Sequence, residues 1–298
     1  MGVSALEKSM TKESLILASI CMTSTDDRER NIEEALHWVA KAAARGADWV
    51  LLPEVFAYHG TYDRIHEMGE VEGGALSARL AAAARQHKIC LFAGSFGEQA
   101  APGVMSETEE MGRLGHRRVY NTSYVFDRQG QRVAKYRKTH LFNLYSPTGE
   151  AVYCESDGFM AGDEPVTFDL EGFRVGLGIC YDLRFPSYFE RMAQSQPLDI
   201  IVLPSAFTLH TGMDHWELLL RARAVEQQAY MLAANQTGEH GRGRSSYGHS
   251  MIVDPWGYVL ANTGAVPGVA IAEAHKARIQ AVRDRLPALR NRRPELYE

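Results

Sequence analysis

Short unbroken apolar runs alternate along this chain with longer segments that carry helix signals. SLILASICMT (14–23), DWVLLPE (48–54), KICLFAGSF (88–96), DIIVLPSAF (199–207) and YMLAANQ (230–236) read as buried strands. TDDRERNIEEALHWVAKAAARG (25–46) has acids crowded at its start and Gly46 at its end, as a helix favours. ALSARLAAAARQHK (75–88), PSYFERMAQSQ (186–196) and HWELLLRARAVEQQA (215–229) are the other expected helices. Three hairpins are expected: 121–142 turning at DRQG, 165–180 turning near Glu171 and Gly172, and 249–263 turning at Asp254-Pro255-Trp256-Gly257. In the last, proline second and glycine fourth suit a type I turn. Residues 98–116, polar and rich in Glu and Gly, read as a long hairpin loop. Helices alternating with strands but interrupted by hairpins predict an α/β fold of mixed sheets covered by helices, not a purely parallel doubly wound sheet. No linker or repeat divides the chain. One domain is expected over residues 1–298, with a loose N-terminal arm at 1–13 and a C-terminal tail at 275–298.

Composition acts mainly by exclusion. A formal net charge of −5 over 298 residues leaves no basic face for nucleic acid. With 45% hydrophobic and 23% charged residues the chain is ordinary for a globular protein, and long enough to bury a large core without staples. Cys21, Cys90, Cys154 and Cys180 are widely spaced, with no CxxC pair, so neither a disulfide framework nor a zinc ribbon fits. MGVSALEKSM lacks the apolar core of a secretory signal, and Leu6 stands where a myristoylation motif needs Ser or Thr. The apolar runs fall short of the roughly 20 residues of a membrane span. A soluble cytoplasmic protein with reduced thiols and no membrane partner is the expectation.

Three segments read as buried strands deliver a reactive residue at or just past their carboxyl end: DWVLLPE gives Glu54, RVAKYRK gives Lys138 and RVGLGIC gives Cys180. Strand carboxyl ends are where α/β folds place ligand sites. Each residue also has a plainer reading. Cys180 is either a small buried hydrophobe, as Cys21, Cys90 and Cys154 are expected to be, or a nucleophile on an elbow with the Tyr181 N–H beside it. The preceding Gly176-Leu177-Gly178-Ile179 leaves room for close approach, and YDLRFP turns abruptly away. Glu54 is either a solvated acid at a loop entrance or a general base. Lys138, beside Lys135 and Arg137, is either part of a basic surface turn or a fixed cation for a thiolate and an oxyanion. Other motifs are incomplete. Gly176-Leu177-Gly178 lacks the third glycine of a dinucleotide loop, GRGRSS (241–246) lacks the Lys-Ser/Thr of a P-loop, His210 and His215 do not make HExxH, and GxSxG is absent.

Taken together, LLPE, YRKTHLF and GICYDLRFP resemble the Glu–Lys–Cys motifs of the nitrilase (carbon–nitrogen hydrolase) superfamily, and the resemblance runs from LILASI to RRPELY. CYDLRFP, PSAFTLHTGMDHWELLLRARAVEQQ and YGHSMIVDPWG are similar to its Nit branch, which contains omega-amidase and deaminated-glutathione amidase. Nitrilases proper show Cys-Trp-Glu where this chain has Cys180-Tyr181-Asp182, and the synthetase domain of the glutaminase-linked NAD synthetases is absent. The resemblance implies a four-layer α-β-β-α sandwich, usually paired as a homodimer across helices. The tail at 275–298, with its arginine cluster, would then reach the partner. It also implies a second glutamate between Lys138 and Cys180. CESDGFMAGD supplies Glu155, with Ala161 in place of the usual proline; Glu150 is a nearby rival. Asn143 stands where relatives commonly have Asp.

The implied activity is thiol-dependent hydrolysis of the amide of a small carboxylic acid to acid and ammonia, with no metal and no cofactor. Glu54, Lys138 and Cys180 would be catalytic, Glu155 would assist, and Lys138 with the Tyr181 N–H would hold the oxyanion. A cation should meet the substrate's distal carboxylate: Arg184, close after the nucleophile, and Arg242 and Arg244 in a lid-like loop are candidates, with a structural salt bridge the alternative role of Arg184. Phe207 and Thr208 follow a strand end that should border the pocket, core packing being the alternative for Phe207. Hydrolysis of N-carbamoyl amino acids or aliphatic amides with the same triad, and a non-catalytic interaction protein on the same scaffold, are the other readings.

Overall fold

The computed structural model describes residues 12–101, 103, 110–241 and 243–296. Residues 1–11 of the expected arm and Arg242 lie outside the described residues. The strands are β1 (Ser14–Cys21), β2 (Trp49–Leu51), β3 (Cys90–Phe92), β4 (Phe96–Glu98), β5 (Val119–Phe126), β6 (Arg132–Arg137), β7 (Asn143–Tyr145), β8 (Ala151–Cys154), β9 (Phe159–Met160), β10 (Val166–Leu170), β11 (Phe173–Leu177), β12 (Ile200–Ser205), β13 (Tyr230–Asn235), β14 (Thr237–Glu239), β15 (Ser245–Tyr247), β16 (Met251–Val253), β17 (Val259–Asn262) and β18 (Gly268–His275). The helices are α1 (Arg28–Ala44), α2 (Ile65–Met68), α3 (Ala75–His87), α4 (Pro186–Met192), α5 (Leu209–Gln227) and α6 (Lys276–Arg285).

Two mixed sheets result. The first has the order β18-β1-β2-β3-β5-β4, with β6 and β9 also on β5; the second has the order β10-β11-β12-β13-β16-β17. β1, β2 and β3 are parallel in one sheet and β11, β12 and β13 in the other, flanked by antiparallel strands. The expected hairpins β5–β6, β10–β11 and β16–β17 supply antiparallel pairs.

The unbroken apolar runs follow from burial on both faces. In β1, Leu15 and Leu17 join a core with Val175, Ile200 and Val202 of the second sheet, while Ala18 and Ile20 pack with Ile32, Val39 and Leu80 of α1 and α3. Across the second sheet, Phe189 of α4 and Trp216, Leu220 and Ala224 of α5 close the fourth layer. The result is the α-β-β-α sandwich expected. Each fully buried Leu or Phe contributes about 1.5–3 kcal/mol of transfer free energy. α1 is amphipathic, burying Ile32, Ala35, Val39 and Ala42, and Asp27 caps it by accepting from the Arg30 N–H.

Several local expectations change. KICLFAGSF divides into β3 and β4, because Gly94 takes a left-handed turn (φ 55°) where a Cβ would lie 2.1 Å from the Pro53 carbonyl oxygen. The helix expected from His215 starts at Leu209. Much of the C-terminal tail is the helix α6. Its Arg283 donates to Leu198 O and pairs with Asp199, and its Arg278 pairs with Asp254, so these arginines are engaged within the chain.

β2, β3 and β6 run in one direction, since β5 is antiparallel to both β3 and β6. The Glu54 N–H donates to Ser205 O at 3.3 Å, so the carboxyl ends of β2 and β12 meet across the two sheets.

Candidate active site

Four residues from four separate segments converge at these strand ends. Beyond β2, Glu54 is followed by Val55 in the left-handed region (φ 47°), unusual for a β-branched residue and worth about 1–3 kcal/mol of strain. Ser95 holds this turn: its hydroxyl accepts from the Val55 N–H at 3.0 Å and its carbonyl from the Phe56 N–H at 3.1 Å. At the end of β6, alternation sorts a run of basic residues. Lys135 and Arg137 pair with Glu98. Lys138, with the opposite parity, is buried.

Cys180 lies on a one-turn 3-10 helix after β11, also left-handed (φ 46°). The glycines before it serve packing: a Cβ would sit 2.7 Å from Leu198 at Gly176 and 3.1 Å from Leu203 at Gly178. Asp182 pins the elbow. It accepts from the Ile179 N–H at 2.8 Å and the Tyr136 hydroxyl at 2.7 Å, and meets His140 through backbone N–H (3.1 Å) and ring Nδ1 (2.7 Å). The loop after Lys138 is thereby tied to the loop carrying Cys180.

Lys138 Nζ donates to Glu54 Oε1 at 2.8 Å and to Glu155 Oε1 and Oε2 at 2.9 and 2.7 Å. Glu155 also accepts from the Phe142 N–H at 2.6 Å, whereas Glu150 is exposed in the β7–β8 turn. Two further groups complete the cluster. Asn121 Nδ2 bridges the carboxylates, 2.9 Å from Glu54 Oε1 and 3.0 Å from Glu155 Oε1, and the Ala206 N–H donates to Glu54 Oε2 at 2.8 Å. Sequence reasoning passed over Asn121, Ala206 and Asp182. Asn121 is followed by Thr122 and Ser123 in β5, and no local pattern singles it out.

Burial sets the charge states. It pushes the Cys180 thiol well above its ordinary range, and the Glu54 carboxylate adds to the shift against the opposing pull of Lys138 and the Ala206 N–H. The resting sulfur therefore keeps its proton at neutral pH. For Lys138 burial alone disfavours the ammonium, but Glu155 and Glu54 outweigh it and hold its pKa well above the usual lysine value. Burial raises Glu155, with Lys138 opposing and Glu54 adding to the shift. The arrangement offers a protonated thiol, an adjacent carboxylate and a fixed cation: the parts for base-assisted nucleophilic attack and oxyanion stabilisation.

These groups open onto a cavity of about 600 Å³. Thr208 is on its wall, as are Tyr58, Tyr62, Phe142, Tyr153 and Arg244. Phe207 is not. It is buried against Trp216, ring centroids 5.0 Å apart, which is its packing alternative. Arg184 is also off the wall. It lies over the Phe207 and Tyr181 rings and meets His215 Nδ1 at 3.4 Å rather than an acid. The Tyr181 ring packs on Phe142 and Phe185, leaving only its backbone beside the thiol. Among the described residues no helix is long and apolar enough to cross a membrane, and no group of three His, Cys, Asp or Glu is placed to hold a metal ion.

Residues 16–284 match the carbon–nitrogen hydrolase family. The chain is 37% identical over 279 residues to the deaminated glutathione amidase of Synechocystis sp., covering 93% of this chain and 97% of that protein. It is 36% identical to human omega-amidase NIT2, covering 94% and 96% respectively. The crystal structure of the C. elegans NitFhit protein superposes with a TM-score of 0.86 at 34% identity, over 97% of this chain and 67% of that one. A mutant amidase from Nesterenkonia sp. AN1, with the acetamide moiety of fluoroacetamide covalently added at its active-site cysteine, superposes at 0.73 with 25% identity over 100% of this chain and 98% of that one. This chain belongs to the carbon–nitrogen hydrolase family and carries the fold of the nitrilase superfamily.

Proposed function

We propose that the protein hydrolyses the amide of a small carboxylic acid to acid and ammonia through a thioester on Cys180. The observation that carries this reading is the buried Glu54–Lys138–Glu155 cluster beside the Cys180 thiol, on the wall of the cavity. The sulfur is protonated at rest, so attack needs a base. Glu54 takes the thiol proton as sulfur bonds to the amide carbon. The carbonyl oxygen becomes an oxyanion held by Lys138 Nζ and the Tyr181 N–H; one such donor is worth about 3 kcal/mol of barrier. Collapse breaks the C–N bond, and the proton on Glu54 leaves with ammonia. Water then attacks the thioester, with Glu54 as base and Glu155 positioning, releasing the acid and restoring the thiol. Thr208 borders the acyl chain, while Phe207 and Arg184 support the wall from behind.

The four free cysteines suit a reducing cytoplasm. Leu218 and Val225, exposed on α5 seven residues apart, suit a homodimer across that helix. The direct test is ammonia or amine release from 2-oxoglutaramate, deaminated glutathione and N-carbamoyl amino acids by wild type, Cys180→Ser and Cys180→Ala. The first two substrates should turn over fastest, with loss of at least about 10⁴-fold in both variants. Full activity in either variant would sink the mechanism.

A further inference from the structure

The charges lining the cavity can be accounted for one by one. Glu54 and Glu155 are matched to Lys138, and Asp157 to Arg113, whose Nε and Nη2 donate to it at 3.1 and 2.9 Å. Arg244 is different. Its Nη1 donates to Gly60 O at 3.0 Å, and its guanidinium lies 5.6 Å from the Tyr62 ring and 5.5 Å from the Tyr153 ring. Among the described residues it makes no ion pair; Asp26 faces it only across an adjoining recess of about 90 Å³. A half-buried guanidinium between two aromatic rings, on the wall of a cavity whose own carboxylates are matched to other cations, is a fork awaiting an anion.

Two buried polar atoms beside it are also unsatisfied. His59 Nδ1 has no hydrogen-bond partner, and the Tyr62 hydroxyl, next to that of Tyr153, makes no well-formed hydrogen bond. Buried polar atoms are rarely left so, unless a ligand or water completes them. His240, by contrast, is fully used. Ser24 O can only accept, so His240 Nδ1 donates to it at 2.8 Å, and the Ser246 hydroxyl then donates to Nε2 at 2.8 Å. His240 stays neutral and supports the His59 ring at a centroid separation of 4.0 Å.

We propose that Arg244, with His59 and Tyr62 beside it, forms an anion subsite that holds the carboxylate at the end of the substrate remote from the scissile amide. The subsite rests on the amidase reading above and assigns the distal cation to Arg244 rather than Arg184. It makes the enzyme selective for amides that carry a carboxylate on the acyl chain.

The test compares glutaramate with pentanamide, which has the same chain length and no carboxylate. Wild type should prefer glutaramate. Arg244→Leu should cut that preference roughly 10- to 100-fold, mostly through KM, and Arg244→Lys should restore part of it, as loss of a charge-assisted hydrogen bond predicts. Tyr62→Phe should cut it less, and carries the comparison if Arg244→Leu does not fold. An unchanged preference in Arg244→Leu, or no preference in wild type, overturns the subsite. If wild type releases ammonia from neither amide nor from 2-oxoglutaramate, the amidase reading fails separately. Calorimetry of Cys180→Ala protein with glutaramate then decides the subsite alone: binding weakened by Arg244→Leu supports it, and absent or Arg244-independent binding overturns it.

Discussion

The sandwich carries an acid–base cluster at each end of the same three strands. β2 has Asp48 before it and Glu54 after it; β6 has Arg128 in the turn before it and Lys138 after it; β11 has Glu171 before it and Cys180 after it. At the amino ends Arg128 Nη2 donates to Asp48 at 2.7 Å and to Glu171 at 2.9 Å, Lys12 reaches Asp48, and the Trp49 indole donates to Glu171. The carboxyl-end cluster has the same residue types in a different environment. Lys138, Glu54 and Glu155 are 1%, 5% and 4% exposed in their side chains, against 24%, 20% and 13% for Arg128, Asp48 and Glu171. Water screens the amino-end set and not the carboxyl-end set. At the amino ends each charge is drawn toward its ordinary ionised state; at the carboxyl ends burial pushes the Glu155 carboxyl and the Cys180 thiol up, and a cavity adjoins them. Acid–base pairing therefore does not mark the chemistry. Dryness, an adjoining cavity and a thiol mark it.

The largest effect that sharpens this contrast is Lys138→Met. It leaves two buried carboxylates facing each other without a cation. Stability should fall by about 3–5 kcal/mol, and kcat by on the order of 10³-fold or more. Thermal melts and steady-state kinetics read both. A variant that stays active would remove Lys138 from the proposed mechanism.

Asn121→Leu comes next. The amide bridges Glu54 and Glu155, so its loss leaves each carboxylate one donor short. Glu155, already raised by burial, then loses a donor to its charged form, which raises it further. The expected result is a kcat lower by roughly 10- to 100-fold and an acid limb of kcat/KM displaced to higher pH. Lower activity with an unmoved acid limb would make Asn121 structural only.

The two clusters also differ in how far the sequence reveals them. Glu54, Lys138 and Cys180 were readable because each follows a segment recognisable as a strand, and Glu155 because a family motif surrounds it. Asn121 was not, since its partners lie 67 and 34 residues away and nothing local announces a bridging amide. The amino-end cluster was missed altogether. Arg128 and Glu171 occupy turn positions where polar residues are unremarked, and only the closing of two sheets brings them together. The same limit explains Arg184. Proximity in sequence to Cys180 suggested the pocket, but the 3-10 turn directs its side chain over Phe207 and toward α5. Periodicity located strands and long helices; it could not foresee the β7–β8 hairpin or α6, which depend on contacts with distant segments.

Arg128→Met is the matched control at the other end. Its partners keep partial contact with water, so the loss should be about 1–2 kcal/mol of stability, with kcat within about 2-fold of wild type. A large loss of activity at unchanged stability would dissolve the distinction between the ends.

The smallest effect is the acid dependence of that difference. For Asp48, burial alone raises the pKa, but the Ile16 N–H, Lys12 and Arg128 outweigh it and hold it below its ordinary 3.8. For Glu171, burial is likewise outweighed, by Arg128 and the Trp49 indole, and the pKa lies below 4.5. A carboxylate depressed in the folded state contributes its full stability above the unfolded pKa and loses it as pH falls through the folded value. The contribution is therefore intact at pH 6 and disappears below about pH 4. In denaturant titrations the gap between wild type and Arg128→Met should be constant from pH 6 to 8 and close as pH drops below about 4. A gap that does not narrow as pH falls below about 4 would mean that Arg128 acts by packing its stem against the sandwich rather than by its charge. The two ends would then differ in whether charge matters at all, and not only in how dry it is.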